Sequence, residues 1–221
     1  LVNATAAGEV AQTAAALRIP VIQLSTDYVF DGGLTRPYRE DDATGPLSAY
    51  GASKLAGEQA VAAATANHAI LRTAWVYAPF GKNFVRTMLR LAETRGEVSV
   101  VADQHGSPTS ALDIADAIFT VARNLAGRPD DASLRGVFHM SAAGEAVWAD
   151  VAEAIFAARE RLGGRPVRVR RIATADYPTP ARRPANSRLD CGKLALVHGV
   201  RLPQWRASLN ACVERLLEDR E

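Results

Sequence analysis

Tyr50 and Lys54 stand four residues apart in the run Tyr50-Gly51-Ala52-Ser53-Lys54, inside an alanine-rich stretch that favours helix. Positions i and i+4 of a helix share a face, so the phenol and the ammonium point the same way. An unperturbed tyrosine has a pKa of about 10 and is a poor acid near neutrality. A fixed cation beside it favours phenolate and lowers that pKa, which makes proton exchange with a substrate oxygen feasible. A lysine so placed also has donors to spare for ribose hydroxyls. The spacing alone is common by chance and gains its force from what precedes it. Val21-Ile22-Gln23-Leu24 is short, β-branched and apolar, the pattern of a buried parallel strand. It runs into Ser25-Thr26-Asp27, polar residues whose hydroxyls could donate to the same oxygen. Ligands of open α/β proteins bind outside the carboxyl ends of the strands, which places this tripeptide for chemistry.

The elements around these residues alternate. Residues 9–17 and 48–64 read as alanine-rich helices, residues 83–94 as a third, and 21–24, 69–72 and 98–101 as strands. Residues 31–46, rich in Gly, Pro and Asp, read as a long loop. Strand–helix alternation implies a parallel sheet covered on both faces. Beyond Gly106 the pattern changes: helices over 111–126 and 148–162, strands over 136–140 and 167–170, a Pro- and Arg-rich loop over 176–188, and a closing amphipathic helix over 203–220. This second region reads as a smaller α/β lobe packed at the carboxyl edge of the sheet.

Bulk properties exclude several classes. The formal charge is +2, which gives no electrostatic case for nucleic acid or anionic lipid. No stretch approaches the roughly 18 apolar residues of a membrane span, and no signal peptide is recognisable. Two cysteines, Cys191 and Cys212, are too few and too poorly spaced for a disulfide framework or a zinc site. These features fit a reduced cytoplasmic protein.

Longer motifs carry a resemblance. Ser25-Thr26-Asp27-Tyr28-Val29-Phe30-Asp31-Gly32 followed by Tyr50-Gly-Ala-Ser-Lys54-Leu-Ala-Gly57-Glu58 resembles the extended short-chain dehydrogenase/reductases that act on nucleotide sugars. Residues 71–77, 103–109 and 183–190 add matches in family order. The resemblance implies a Rossmann-like α/β fold, with residues 1–105 as the later part of the dinucleotide-binding domain and residues 106–221 as mainly a nucleotide-sugar lobe that returns in part to the sheet. It implies an NADPH- or NADH-dependent reduction of a sugar C4 keto group, that of dTDP-4-dehydro-L-rhamnose giving dTDP-L-rhamnose. Tyr50 would be the proton donor, Lys54 its pKa partner and ribose contact, and Thr26 a hydrogen-bond partner of the reacting oxygen. Leu24 would join Tyr50 and Lys54 against the cofactor. Asp27, Trp75, Gln104 and Arg183 would meet the nucleotide sugar, with Arg182 and Arg188 further candidates for its diphosphate. Related 4,6-dehydratases carry an Asp-Glu pair after the threonine; here Asp27 is followed by Tyr28, which cannot serve as that carboxylate base, so simple reduction is expected.

The family's glycine-rich turn after the first strand does not occur in these residues. Aligned by the motifs, Leu1-Val2-Asn3-Ala4 matches the end of the fourth strand of the family's sheet, so the earlier strands and most pyrophosphate contacts are expected before residue 1, and these residues alone are expected to be incomplete for cofactor binding. Some relatives pair through a metal held by carboxylates; Leu112 stands where an acidic residue would help, so no metal is expected, while a homodimer stays open. Two other readings also stay open: a reductase of another nucleotide 4-keto-sugar, and a non-catalytic subunit like the regulatory subunit of methionine adenosyltransferase, which is similar to these reductases and can keep Tyr-x-x-x-Lys.

Overall fold

The computed structural model describes residues 1–177 and 183–218. In chain order, α1 (Ala7–Ala16) leads to β1 (Val21–Thr26), then α2 (Ala49–Ala64), β2 (His68–Thr73) and β3 (Val76–Tyr77). There follow α3 (Phe84–Thr94), β4 (Glu97–Val101), β5 (His105–Gly106), β6 (Thr109–Ser110) and α4 (Ala111–Gly127). The rest comprises β7 (Gly136–His139), β8 (Ala146–Val147), α5 (Trp148–Arg161), β9 (Arg168–Ile172), α6 (Gly192–His198) and α7 (Trp205–Glu218). Each helix and strand read from periodicity is present to within a few residues at its ends. The polar residues that open the helices explain the boundaries: Ser48, Asn83 and Ser110 each accept a hydrogen bond from a backbone N–H of the first turn.

The central sheet has the order β1-β2-β7, all parallel. All six residues of β2 are buried, as a strand covered on both faces must be. One side is closed by α1 and α2, where Ala11, Ala14 and Val61 pack on Val21 and Ile70. Over the other lie α4 and α6, with Ile114, Val121 and Leu194 against Leu71 and Phe138. The register aligns Thr26 with Thr73, so β1 and β2 end level at their carboxyl edge.

Two expectations need correction. Residues 1–4 do not form the end of a strand: Val2–Ala6 is a wide helical turn running into α1, with the Ala6 amide bonded to the Leu1 carbonyl. The Ala7 amide likewise bonds back to the Ala4 carbonyl, which carries the turn into the helix. β4 does not extend the central sheet either. It pairs in parallel with β9, and α3, α5 and α7 build a separate core against it around Leu89, Ile155, Trp205 and Leu209. Strands from both sides of residue 105 therefore pair together in both sheets. Among the described residues no helix is long and apolar enough to cross a membrane.

Candidate active site

A cavity of about 450 Å³ opens at the carboxyl ends of β1 and β2. Thr26, Asp27, Tyr50, Trp75 and Arg183 share it with Tyr28, and are joined by Phe84 and Trp148, to which the sequence assigned no role. Residue 148 lies so far from residue 75 in the chain that no spacing rule links the two indoles.

Tyr50 sits in the first turn of α2, which Ser48 caps through the Gly51 amide at 3.1 Å. A β-carbon on Gly51 would lie 2.2 Å from the Tyr28 carbonyl oxygen, so only glycine lets this turn approach the segment after β1. The Tyr50 side is half-exposed and its ring meets that of Tyr28 edge to face, with centroids 6.3 Å apart. Burial raises the Tyr50 pKa above its ordinary value, the Thr26 hydroxyl pulls it back, and Asp27 adds to the rise whenever it is ionised. This departs from the expectation that Lys54 lowers it. The Lys54 ammonium is instead directed at the Leu24 carbonyl, to which it donates at 2.6 Å. Burial depresses the lysine's own pKa while Glu58 opposes that shift. The phenol is accordingly neutral at physiological pH, the form a proton donor needs.

Lys54 and Leu24 do not line the cavity; they meet each other one helical turn from Tyr50. An ammonium has three donors, and one is spent on the Leu24 carbonyl. The remaining two, beside the exposed Leu24 side chain and the half-exposed Tyr50, fit the ribose and nicotinamide end of a dinucleotide.

Trp75 is held in an unusual way. Its backbone adopts a left-handed conformation, φ 47°, which is strained for a bulky residue. Its indole stacks on that of Trp148 with centroids 3.7 Å apart and planes 6° from parallel, and its N–H donates to Ser187 Oγ at 3.0 Å. A β-carbon on Gly106 would sit 2.3 Å from the indole, so the glycine makes room for it. Fixed aromatic faces of this kind suit the C–H side of a pyranose or a base.

Gln104 is buried in an adjoining cavity of about 210 Å³, with Phe84, Trp148 and Arg183 on its walls, and donates to Thr174 Oγ1 at 3.0 Å. Arg183 lines both cavities. Arg188 is not available for a diphosphate here: its guanidinium is committed to Glu145 at 2.6 Å, the Thr35 carbonyl at 2.6 Å and Asn186 Oδ1 at 2.8 Å. Arg182 lies outside the described residues.

Asp27 is 3% exposed. Burial pushes its carboxyl up to about 7, against hydrogen bonds from Thr26, Ser187 and nearby backbone. Burial likewise raises the Tyr28 phenol, which keeps it from acting as a base in the cavity. Beneath the site, Glu58 pairs with Arg72 at 2.7 Å and accepts the Ser25 hydroxyl, three groups shut away from water between α2, β1 and β2.

A parallel α/β sheet that brings a helix-borne phenol to a hydroxyl at a strand end, with an ammonium one helical turn behind the phenol, defines the extended short-chain dehydrogenase/reductase class. Within it, the chain belongs to the family described as the RmlD substrate binding domain, whose model matches residues 1–218. It is 54% identical over 216 residues to dTDP-4-dehydrorhamnose reductase of Sinorhizobium fredii, spanning 98% of this chain and 73% of that protein. Its structure resembles the crystal structure of a dTDP-4-dehydrorhamnose reductase from Clostridium acetobutylicum (TM-score 0.84, 39% identity, 97% of this chain and 72% of that one). It equally resembles the Bacillus anthracis enzyme of that name solved in complex with NADP (TM-score 0.84, 34% identity, 98% of this chain and 72% of that one).

Proposed function

We propose that this chain supplies the catalytic and sugar-binding residues for NAD(P)H-dependent reduction of the C4 keto group of dTDP-4-dehydro-L-rhamnose to give dTDP-L-rhamnose. The observation that carries the reading is the cavity in which the neutral Tyr50 phenol and the Thr26 hydroxyl meet under the Trp75–Trp148 stack. In this reading Thr26 and Tyr50 hydrogen-bond the carbonyl oxygen. Trp75 and Trp148 fix the sugar by packing, and Arg183 faces the diphosphate at the cavity mouth. Lys54 and Leu24, with Tyr50, hold the ribose and nicotinamide end of the cofactor. When bound, the nicotinamide supplies the hydride for C4. As the oxygen gains negative charge, Tyr50 gives it a proton, and the half-exposed phenol recovers one from solvent. The absence of a carboxylate after Asp27 favours reduction without loss of water. The reading places the protein in the cytoplasm with a nucleotide sugar as its partner.

The intact cavity and the reductase names of the relatives favour catalysis over a purely regulatory role. Tyr50→Phe removes the proton and keeps the ring. Turnover of dTDP-4-dehydro-L-rhamnose by the native full-length protein, followed by NADPH absorbance, should then fall about 10²- to 10⁴-fold while dTDP-sugar binding persists. Near-native turnover in that variant removes Tyr50 from the mechanism.

A further inference from the structure

The Thr26 hydroxyl has one proton and two lone pairs to distribute. One lone pair accepts the Tyr28 amide at 3.2 Å. The same oxygen lies 2.9 Å from Asp27 Oδ1. If Asp27 is ionised, the only proton available to that contact is the one on Thr26, so the hydroxyl faces the carboxylate and has nothing to give a substrate oxygen. If Asp27 is a neutral acid, the bond reverses. Its O–H then fills the second lone pair of Thr26, and the Thr26 proton is free for the cavity shared with Tyr50.

We propose that Asp27 acts as a neutral carboxylic acid that donates to Thr26 Oγ1 and so turns the Thr26 proton onto the reacting carbonyl oxygen. Asp27 is then a positioning residue, and its ionisation withdraws one of the two hydrogen bonds to that oxygen. The inference rests on the reductase reading above.

The surroundings favour the neutral form. Asp27 Oδ2 is buried and has no hydrogen-bond partner among the described residues, an arrangement far more costly for a carboxylate than for an acid. Polar and charged groups share the cavity with the carboxyl or bond to it from each element packed around it. From β1 and β2 come Thr26 and Thr73, from α2 the Tyr50 phenol, from the segment after β1 the Tyr28 phenol, and from residues 183–190 Ser187 and Arg183. The Ser187 oxygen accepts from Trp75, and its single proton is divided between the carboxyl and the His105 carbonyl at 3.2 Å, so it satisfies a carboxylate only in part. Arg183 bears on Tyr28, and Arg72, next to this strand end, is occupied by Glu58. Burial therefore prevails, and the carboxyl is pushed up to about 7.

Two measurements test this. In native full-length protein labelled with 13C at the aspartate carboxyl, one aspartate should titrate with a midpoint near neutrality. Asp31, Asp42, Asp103, Asp131 and Asp150 are all held below the ordinary range, and loss of the near-neutral signal in Asp27→Asn assigns it to Asp27. No aspartate midpoint above about 6 overturns the proposal. The second is kcat/KM for dTDP-4-dehydro-L-rhamnose from pH 6 to pH 8.5 at saturating NADPH. The native value should drop more than about tenfold, whereas Asp27→Asn, whose amide donates without titrating, should change by less than about threefold. An Asp27→Asn protein that keeps the native decline also overturns it. A native protein that shows the near-neutral aspartate but turns over no 4-keto-sugar supports the neutral acid and rejects the reductase reading.

Discussion

Tyr50 and Asp27 are two acids tuned by the same cause, removal from water, to opposite ends of usefulness. Burial moves the phenol further from ionisation and brings the carboxyl to the edge of it. The carboxyl shift has a consequence for stability whose sign is fixed. The unfolded Asp27 releases its proton near its ordinary value of 3.8 and the folded one near 7, so stability declines as pH rises through that interval and stays lower above it. A shift of this size corresponds to a penalty on the order of 4 kcal/mol above neutrality. Asp27→Asn should therefore raise the Tm at pH 8 and leave it nearly unchanged at pH 4. An equal effect at both pH values rules out an ionised carboxyl as the source. The residue types of this site were legible because Tyr50, Lys54 and Thr26 belong to short motifs. The protonation states were not, because they follow from neighbours that the motif does not contain.

At the scale of elements, α2 is the part that carries most. Tyr50, Lys54 and Glu58 recur at four-residue intervals along one face, and each reaches a different layer: the cavity, the Leu24 carbonyl and the buried Arg72. The helical period placed Tyr50 and Lys54 on one face before any coordinates, but not the turn of Lys54 onto the Leu24 carbonyl. Glu58 sat in the same motif without an evident role, because its partner Arg72 arrives on β2. The short β5 shows the opposite case, in which an element's function comes from what leans on it. Gly106→Ala should press a methyl group into the Trp75 indole and displace it from Trp148. With the helices unchanged by circular dichroism, turnover should fall by up to about a hundredfold, the cost of displacing a positioning group by about 1 Å. Native turnover in that variant separates the indole position from catalysis.

For the molecule as a whole, the buried Glu58–Arg72 pair joins the sheet to α2 directly under the site. Glu58→Ala leaves the guanidinium buried without its anion and should lower the unfolding free energy by about 3–5 kcal/mol in a urea titration. A loss below about 1 kcal/mol means that water reaches Arg72 and the pair is not sealed. The two sheets also mark where local reading stopped. Residues 98–101 announce a strand by their β-branched pattern, but nothing in that pattern says that the partner is Arg168–Ile172 and not the central sheet. Arg188 announces a phosphate ligand by its chemistry, yet the fold brings Glu145, Asn186 and the Thr35 carbonyl to its donors first. What the sequence by itself determined is local: helix and strand phases, their caps, and the placement of Tyr50 with Lys54, all set by backbone periodicity over a few residues. The tertiary structure alone decided the indole stack, the partners of Arg72 and Arg188, and the burial of Asp27. Those depend on which distant segments close over a side chain, and the loss of water that follows is a property of the packed molecule.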